Sequence, residues 1–500
     1  MSLSPHRKNR LLLRRQFILG PRFVEELPGW KKININSSLF LTIHPELETE
    51  QASFSGNSIN LLGYILDPYE PQASNLEICD RLLRQINSAD DIFSYLEPMC
   101  GRFIIILRFN GKLRIFTDAI GYRSVYYARD ASGSLWCASQ PGSIAEQFGT
   151  EPQKDMWEEF LNSYFFKHNP EYWYPGDSSP YRNIFHLLPN RYLDLTTSEI
   201  VRYWPKIRLE STPIQECVEQ ASNLLQRLMK AAHIRFKLAL SITAGYDTRL
   251  LLAASKEISK DIMIFSQMMS GMDEKHFDIW VPVALLSDLG LKHTLVRCPS
   301  AMDDEFLGVY KRNFPTARLS RAAMLYCSYK YWSNSGRVLV LGCGGELIRC
   351  KYGDRHKYSG NNSRVKGDTL ARFTWMRGNS FAINQYEKWL ATTRNLSADF
   401  GVNILDLFFW EQRESNWGGM NQTEADIAHE SFFPYSCRKL LTMLLSAEEK
   451  YRMPPGHELI KKLAFQMWPE ILRVPINPYP FKTKIKRAAR TLLRRYGLIG

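Results

Sequence analysis

Phe236-Lys237-Leu238-Ala239-Leu240-Ser241-Ile242-Thr243-Ala244-Gly245-Tyr246-Asp247-Thr248-Arg249-Leu250-Leu251-Leu252-Ala253-Ala254 is the stretch that decides the fold. Its apolar run predicts a short strand, its small residues a tight turn, and its leucine-rich end a helix. A helix that starts after a glycine turn presents unpaired N–H groups and the positive end of its dipole, so it suits an anion. Gly245 lets the backbone approach a phosphate, and the hydroxyls of Thr243 and Thr248 can donate to its oxygens. Asp247 repels a bare phosphate and makes sense there with a divalent cation in between. The reading is a nucleotide-triphosphate site with Mg²⁺. Strand–glycine turn–helix units are also ordinary α/β scaffolding, and this stretch alone does not separate the two. Arg249 reads either as a phosphate ligand or as a charge on the helix surface.

Outward from this stretch, residues from about 206 onward alternate helices with short apolar strands, the pattern of a parallel α/β sheet. A helix is predicted over 214–233, strands over 261–266, 293–296 and 337–341, and a helix over 277–289. The last strand runs into Gly342-Cys343-Gly344-Gly345-Glu346, a second glycine turn ending in a carboxylate. Ligands of open parallel sheets sit beyond the carboxyl ends of the strands, so Asp247 and Glu346 should meet at one rim and share a metal ion.

Residues 1–205 read as β-rich. Strands are predicted over 39–43 and 59–65, and the clearest hairpin joins 101–109 to 112–118 through Asn110-Gly111. Further strands follow at 124–127 and 135–139, and the Pro-, Tyr- and Asn-rich span 170–194 reads as a long surface connection.

The 500 residues, 45% apolar and 13% aromatic, suffice for more than one globular core. No apolar run approaches the ~18 residues of a membrane span. Nine scattered cysteines without a CxxC pair argue against zinc and for reduced thiols in a cytoplasm. The net charge of +13 is concentrated near the ends, where 482–495 reads as a basic amphipathic helix. It fits an anionic partner, but the aromatic–basic interleaving of an RNA face is not evident, so nucleic acid is not the expected partner.

The Thr243-Ala244-Gly245-Tyr246-Asp247-Thr248 turn resembles the Ser-Gly-Gly-x-Asp-Ser pyrophosphate loop of N-type ATP pyrophosphatases, in particular the asparagine synthetase and β-lactam synthetase family. In chain order, Asp278 with Leu289-Gly290-Leu291-Lys292-His293, then Gly342–Glu346, then Glu430-Ser431-Phe432-Phe433-Pro434-Tyr435 resemble further motifs of that family. Gly101-Arg102-Phe103, Asp118-Ala119-Ile120-Gly121-Tyr122 and Ala138-Ser139-Gln140 are similar to its glutaminase domain. The resemblance covers nearly the whole chain. It implies a glutaminase-like α+β sandwich of the Ntn type over 1–205, followed over 206–500 by a parallel-sheet synthetase domain of the adenine-nucleotide α-hydrolase-like (HUP) kind.

The activity it implies is ATP-dependent and AMP-forming: a carboxylate is activated as an acyl-adenylate and then attacked by ammonia or an amine. The residue roles it implies follow the motifs. Thr243, Ala244, Gly245 and Thr248 would cradle pyrophosphate, Asp247 and Glu346 would hold Mg²⁺, and Ile242, Leu341 and Gly342 would frame adenosine. Glu430 would polarise or deprotonate the amine, and Lys461, Lys462 or Lys482 would compensate for the lysine in whose place Asn477 stands. Two departures stand out. Position 2 is Ser2, without the family's amino-terminal cysteine nucleophile, and Cys343 stands where a Glu or Tyr contributes. The first domain is therefore expected to be an inactive scaffold, and an ATP-binding protein without turnover is the alternative. A small-molecule or peptide carboxylate is the expected substrate, and a homodimer is admissible.

Overall fold

The computed structural model describes residues 9–152, 158–169, 171–314, 318–352 and 364–478. Ser2, Lys482 and the basic segment 482–495 lie outside these residues. The fold is an α+β sandwich followed by a parallel-sheet α/β domain, as the sequence leads one to expect.

Two six-stranded antiparallel sheets build the first part. The hairpin forms where expected: Cys100–Phe109 pairs with Lys112–Thr117 across a two-residue loop. Asn110 and Gly111 both take positive φ (48° and 77°), which right-handed strand twist demands of such a loop. Alternation along these strands divides their side chains between two cores. Ile104, Ile106, Leu113 and Ile115 meet Phe17, Leu19, Leu41 and Ile43 of the other sheet. Ile105, Leu107 and Phe116 face outward with Ile59 and Leu61, beneath Ile78 and Leu82 of the helix Asn75–Gln85. On the far side, Ile144 and Ala145 of the helix Pro141–Phe148 cover Ile18, Tyr126 and Trp136. The result is an α/β/β/α stack.

The second part is a five-stranded, all-parallel sheet. Lys237–Ser241 lies in the centre, with Met263–Met268 and then Thr294–Arg297 on one side. Arg337–Val340 and then Glu430–Phe432 lie on the other. Leu238 and Leu240 pack against helices Ile214–Arg235 and Tyr246–Ala254, while Ala239 and Leu339 face Trp332 on the opposite side. Helices therefore cover both faces. The chain first winds to one side of Lys237–Ser241 and later returns to the other, which makes the gap between Lys237–Ser241 and Arg337–Val340 the switch point where such sheets open a ligand crevice.

Two expectations are corrected here. The span read as a surface connection is largely internal: Trp173, Tyr174, Tyr181, Ile184, Leu187 and Leu188 are buried, and Arg191–Asp194 joins a sheet. Its aromatic rings fill the seam between the two parts. Nor are all cysteines reduced, because Cys298 and Cys327 form a disulfide with Cα atoms 5.0 Å apart. Among the described residues no helix is long and apolar enough to cross a membrane.

Candidate functional site

The two glycine turns meet at the switch point. After Lys237–Ser241 the chain turns through Thr243 and Ala244 into the helix Tyr246–Ala254, whose N-cap Gly245 offers no side chain. After Arg337–Val340 it turns through Gly344, at φ +88°, into the short turn Gly345–Arg349. Gly342 and Gly345 lie against Asp247: a Cβ on Gly345 would stand 2.7 Å from Asp247 Oδ1, and one on Gly342 3.1 Å from its Cβ. Only glycine permits this approach. Tyr435 Oη secures it by donating to the Asp247 carbonyl (3.1 Å).

The expected meeting of Asp247 and Glu346 occurs, around a cation that the chain itself supplies. Arg349 Nη2 donates to Asp247 Oδ2 (2.6 Å) and lies 3.4 Å from Glu346 Oε1. Lys351 Nζ donates to Glu346 Oε2 (2.7 Å). Burial pushes the Asp247 carboxyl up to about 7, against the pull of Arg349 and with the help of Glu346. Burial acts the same way on Glu346, but Lys351 and Arg349 prevail and hold it below its ordinary range. Behind the pair, Glu414 is fully buried and raised by that burial, and it accepts from Tyr122 Oη (2.8 Å). The Cys343 thiol is pushed up to about 12, by burial first and by Glu414 second, which keeps it protonated at neutral pH.

These residues fit a magnesium–polyphosphate. Asp247 Oδ1 is a buried oxygen with no hydrogen-bond partner among the described residues. Asp247 Oδ2 and Glu346 Oε1 converge on the Arg349 guanidinium, which occupies the place a metal ion between them would take, while Glu346 Oε2 is held by Lys351. Among the described residues no cluster of three or more His, Cys, Asp or Glu could hold a metal without further ligands. One or two carboxylates completed by substrate phosphates is the usual manner of magnesium.

The turn itself is drawn inward. Thr243 N donates to Thr248 Oγ1 (3.1 Å), Gly245 N to Thr243 Oγ1 (3.2 Å), and Ala244 N to Asp278 Oδ1 (3.0 Å). Ile242 N donates to Phe265 O, and Ile242 O accepts from Ser266 Oγ. Leu341 N donates to Phe432 O, and Gly342 O accepts from Gly345 N. Asn477 comes back over the loop, its N–H donating to Ala244 O (3.0 Å), so counting from Trp468 does locate a residue that reaches the site.

Other expected residues stand elsewhere. Arg249 is neither phosphate ligand nor surface charge: it is buried and donates to the carbonyls of Ile471 (3.1 Å), Val474 and Pro475 (3.2 Å). Glu430 is not placed as a base. Its carboxylate accepts from Arg102 (2.8 Å) and Arg123 (2.9 Å) of the sandwich. Burial would raise it, yet Arg123 and Arg102 drive it far below its ordinary range, leaving little affinity for a proton. Lys461 is exposed on the helix Glu458–Met467, one turn beyond His457, which packs edge-on to Tyr246 at the start of the loop helix. Sequence reasoning misses Arg349 and Glu414. Arg349, three residues beyond Glu346 in a tight turn, had a readable signal; Glu414 lies in the π-helix Phe409–Gly418, whose register no α-helical period foretells.

No family model matches the sequence, and no curated protein matches it either. Among solved structures the chain is similar to the glutamine phosphoribosylpyrophosphate amidotransferase of B. subtilis complexed with ADP and GMP, at 8% identity and a TM-score of 0.20. That match covers 57% of this chain and 60% of the other. A structure described as the allosteric regulatory enzyme of purine biosynthesis is similar at 8% identity and a TM-score of 0.22, over 59% of this chain and 63% of that one. The chain thus spans less than two thirds of the length of these two structures, and likeness at this level says nothing of substrate.

Proposed function

We propose that the chain is an ATP-dependent, AMP-forming amide ligase that joins a carboxylate to ammonia or an amine and lacks glutaminase activity of its own. The observation that supports this most is the convergence of Asp247 and Glu346 on a single positive centre at the switch point of a doubly wound parallel sheet. In this reading Asp247 and Glu346 hold Mg²⁺, which when bound would neutralise charge developing on the departing pyrophosphate. Thr243, Gly245 and Thr248 orient the phosphates, and Ile242, Leu341 and Gly342 border the adenosine. Arg349 keeps the two carboxylates together before the ligand arrives. The dry wall behind them, with Tyr122, Cys343 and Tyr435, excludes water that would hydrolyse an activated acyl group.

A second reading is an ATP-binding scaffold without turnover. It is favoured by the inward hydrogen bonds of the loop and by the resident Arg349. Exchange of labelled pyrophosphate into ATP, run with carboxylate pools and alongside calorimetric Mg·ATP binding, tests both. Carboxylate-dependent exchange is expected of the ligase. Binding without exchange for any pool would leave the scaffold, and no ATP binding at all would overturn both.

A further inference from the structure

A partly open cavity lies in the seam between the sandwich and the helix Ser380–Phe400, away from the two glycine turns. Its volume is about 300 Å³, far more than the ~10–15 Å³ that one water requires. His186, Leu187, Leu188 and Trp389 form buried walls, and Ile200, Lys388 and Thr392 are exposed at its margin. Three cations, Arg191, Arg202 and Lys388, face two carboxylates, Asp177 in the wall and Glu411 behind it.

The cations are not equally engaged. Glu411 is fully buried and would be raised by burial, but Arg191 and Arg202 hold it at about 2, so it is ionised throughout the physiological range. Arg202 Nη2 donates to it (2.9 Å) and so does Trp389 Nε1 (2.9 Å). Arg191 Nη1 is 3.1 Å from the same carboxylate but off hydrogen-bonding alignment, and it has no hydrogen-bond acceptor among the described residues. Burial pushes the Asp177 carboxyl up, against the pull of Arg191 and Lys388.

His186 adds a second unmet group. Asn416 Nδ2 donates to Gly176 O (2.8 Å), which fixes the amide and turns Asn416 Oδ1 toward His186 Nδ1 (2.7 Å). Nδ1 must therefore carry the proton. Burial holds the imidazole at about 4, so at neutral pH it is uncharged and Nε2 is a bare acceptor. That Nε2 is buried without a hydrogen-bond partner among the described residues, and Tyr126 stacks on the ring at 4.7 Å to fix its plane. An arginine that meets its carboxylate only off-axis and an unpaired acceptor on a buried histidine, in the walls of one cavity, leave hydrogen-bonding capacity for something else to complete.

We propose that this cavity binds a small polyhydroxylated anion, its negative group on Arg191 and Lys388 and its hydroxyls donating to His186 Nε2 and the Asp177 carboxylate. A hydroxyl-free anion would leave Nε2 unmet and face Asp177, while a neutral polyol would leave the excess positive charge unanswered. The shared chemistry is met by a sugar acid or by a sugar phosphate. The site is independent of the nucleotide reading and stands or falls apart from it.

Calorimetric titration of the full chain with gluconate, glucose 6-phosphate, glucose and hexanoate tests the proposal and separates the two sources. Gluconate or glucose 6-phosphate should bind one to one, at least tenfold tighter than both glucose and hexanoate. Lys388→Glu, at an exposed position, should weaken that binding at least tenfold. His186→Phe should erase the preference over hexanoate. If neither hydroxylated anion binds, if hexanoate binds as well as they do, or if Lys388→Glu leaves their affinity unchanged, the proposal is wrong. Should His186→Phe not fold, Lys388→Glu and the four-ligand comparison decide without it.

Discussion

Replacing Arg349 by Met removes the guanidinium that Asp247 and Glu346 share and leaves a side chain of similar reach without charge. In the resting protein a divalent ion entering between the carboxylates must displace that guanidinium, whose contacts are 2.6 and 3.4 Å long. A hydrogen bond to a charged group is worth ~1.5–3 kcal/mol net. Converted at about 1.4 kcal/mol per factor of ten, Arg349→Met should tighten binding of a bare divalent ion by about 10- to 150-fold. Arg349 is also the largest influence lowering Asp247, so the variant's carboxyl will titrate above the native value of about 7 and the comparison belongs near pH 8.5. Mn²⁺ titration followed by electron paramagnetic resonance, without nucleotide, reads the free ion directly. Lys351→Met is the control. Lys351 pairs with Glu346 among the described residues and is half exposed, a class of ion pair worth ~0.2–1 kcal/mol, so its removal should change Mn²⁺ affinity by less than about fivefold. An Arg349→Met protein with native circular dichroism and unchanged or weaker Mn²⁺ binding would refute the idea that Arg349 occupies a metal position.

Asp247→Ala should abolish Mg·ATP binding by calorimetry, whereas loss of exchange with binding retained would move Asp247 from metal ligand to a later step. The carboxyl of Asp247, raised from 3.8 to about 7, keeps a proton in the folded state that the unfolded chain releases, so its contribution to stability is full below about pH 4 and is lost as pH rises to 7. Metal needs the ionised form. Mg·ATP affinity should therefore be about tenfold greater at pH 8 than at pH 6, with nearly one proton released per complex at pH 6, measured in buffers of different ionisation enthalpy. Arg102→Met strips Asp426 and Glu430 of a buried partner and should cost ~3–5 kcal/mol. At ~2.1 cal/mol/K per residue over a chain of this length, that is a fall in melting temperature of about 3–5 °C, and a change under 1 °C would contradict the clamp.

How legible the fold was depends on how local its determinants are. The Asn110-Gly111 hairpin follows from two adjacent residues that accept positive φ, and it appears where the sequence puts it. The central strands of the parallel sheet are buried on both faces, so unbroken apolar runs betray them within a residue or two. Glu430–Phe432 escapes because three residues carry no period, and its place at the sheet edge is set by pairing with Val338–Val340. The 170–194 span misleads because its tyrosines and tryptophan look polar enough for a surface yet fill a seam that only tertiary packing creates. For the site, glycine turns at strand ends are local and were readable. The partners of Glu430 are not, since Arg102 and Arg123 lie more than three hundred positions away. Arg249 failed for the same reason: its acceptors are carbonyls of 471–475, which a sequence does not announce.

The start of the sandwich's first strand is fastened to the second domain. Leu11 is buried with Phe306 and Tyr310, and Leu13 N donates to Asn313 Oδ1 (2.9 Å) while Asn313 Nδ2 donates to Leu11 O (2.8 Å). Arg14 donates to Ile427 O (3.0 Å) and Arg15 to Asp426 O (2.8 Å). The chain therefore enters Phe17–Gly20 out of a strap held down by the second domain. Next to it, Arg102 and Arg123 grip Asp426 and Glu430 across the seam, and Tyr64 Oη donates to Ser431 O (2.6 Å). Buried charge of this density is costly unless every partner is in place, so the two domains can separate only by exposing it together. Arg102, Arg123 and Tyr64 fix Glu430–Phe432 at the sheet edge, one strand from the turn that carries Glu346. The sandwich thus braces the edge of the parallel sheet next to the turn that carries Glu346.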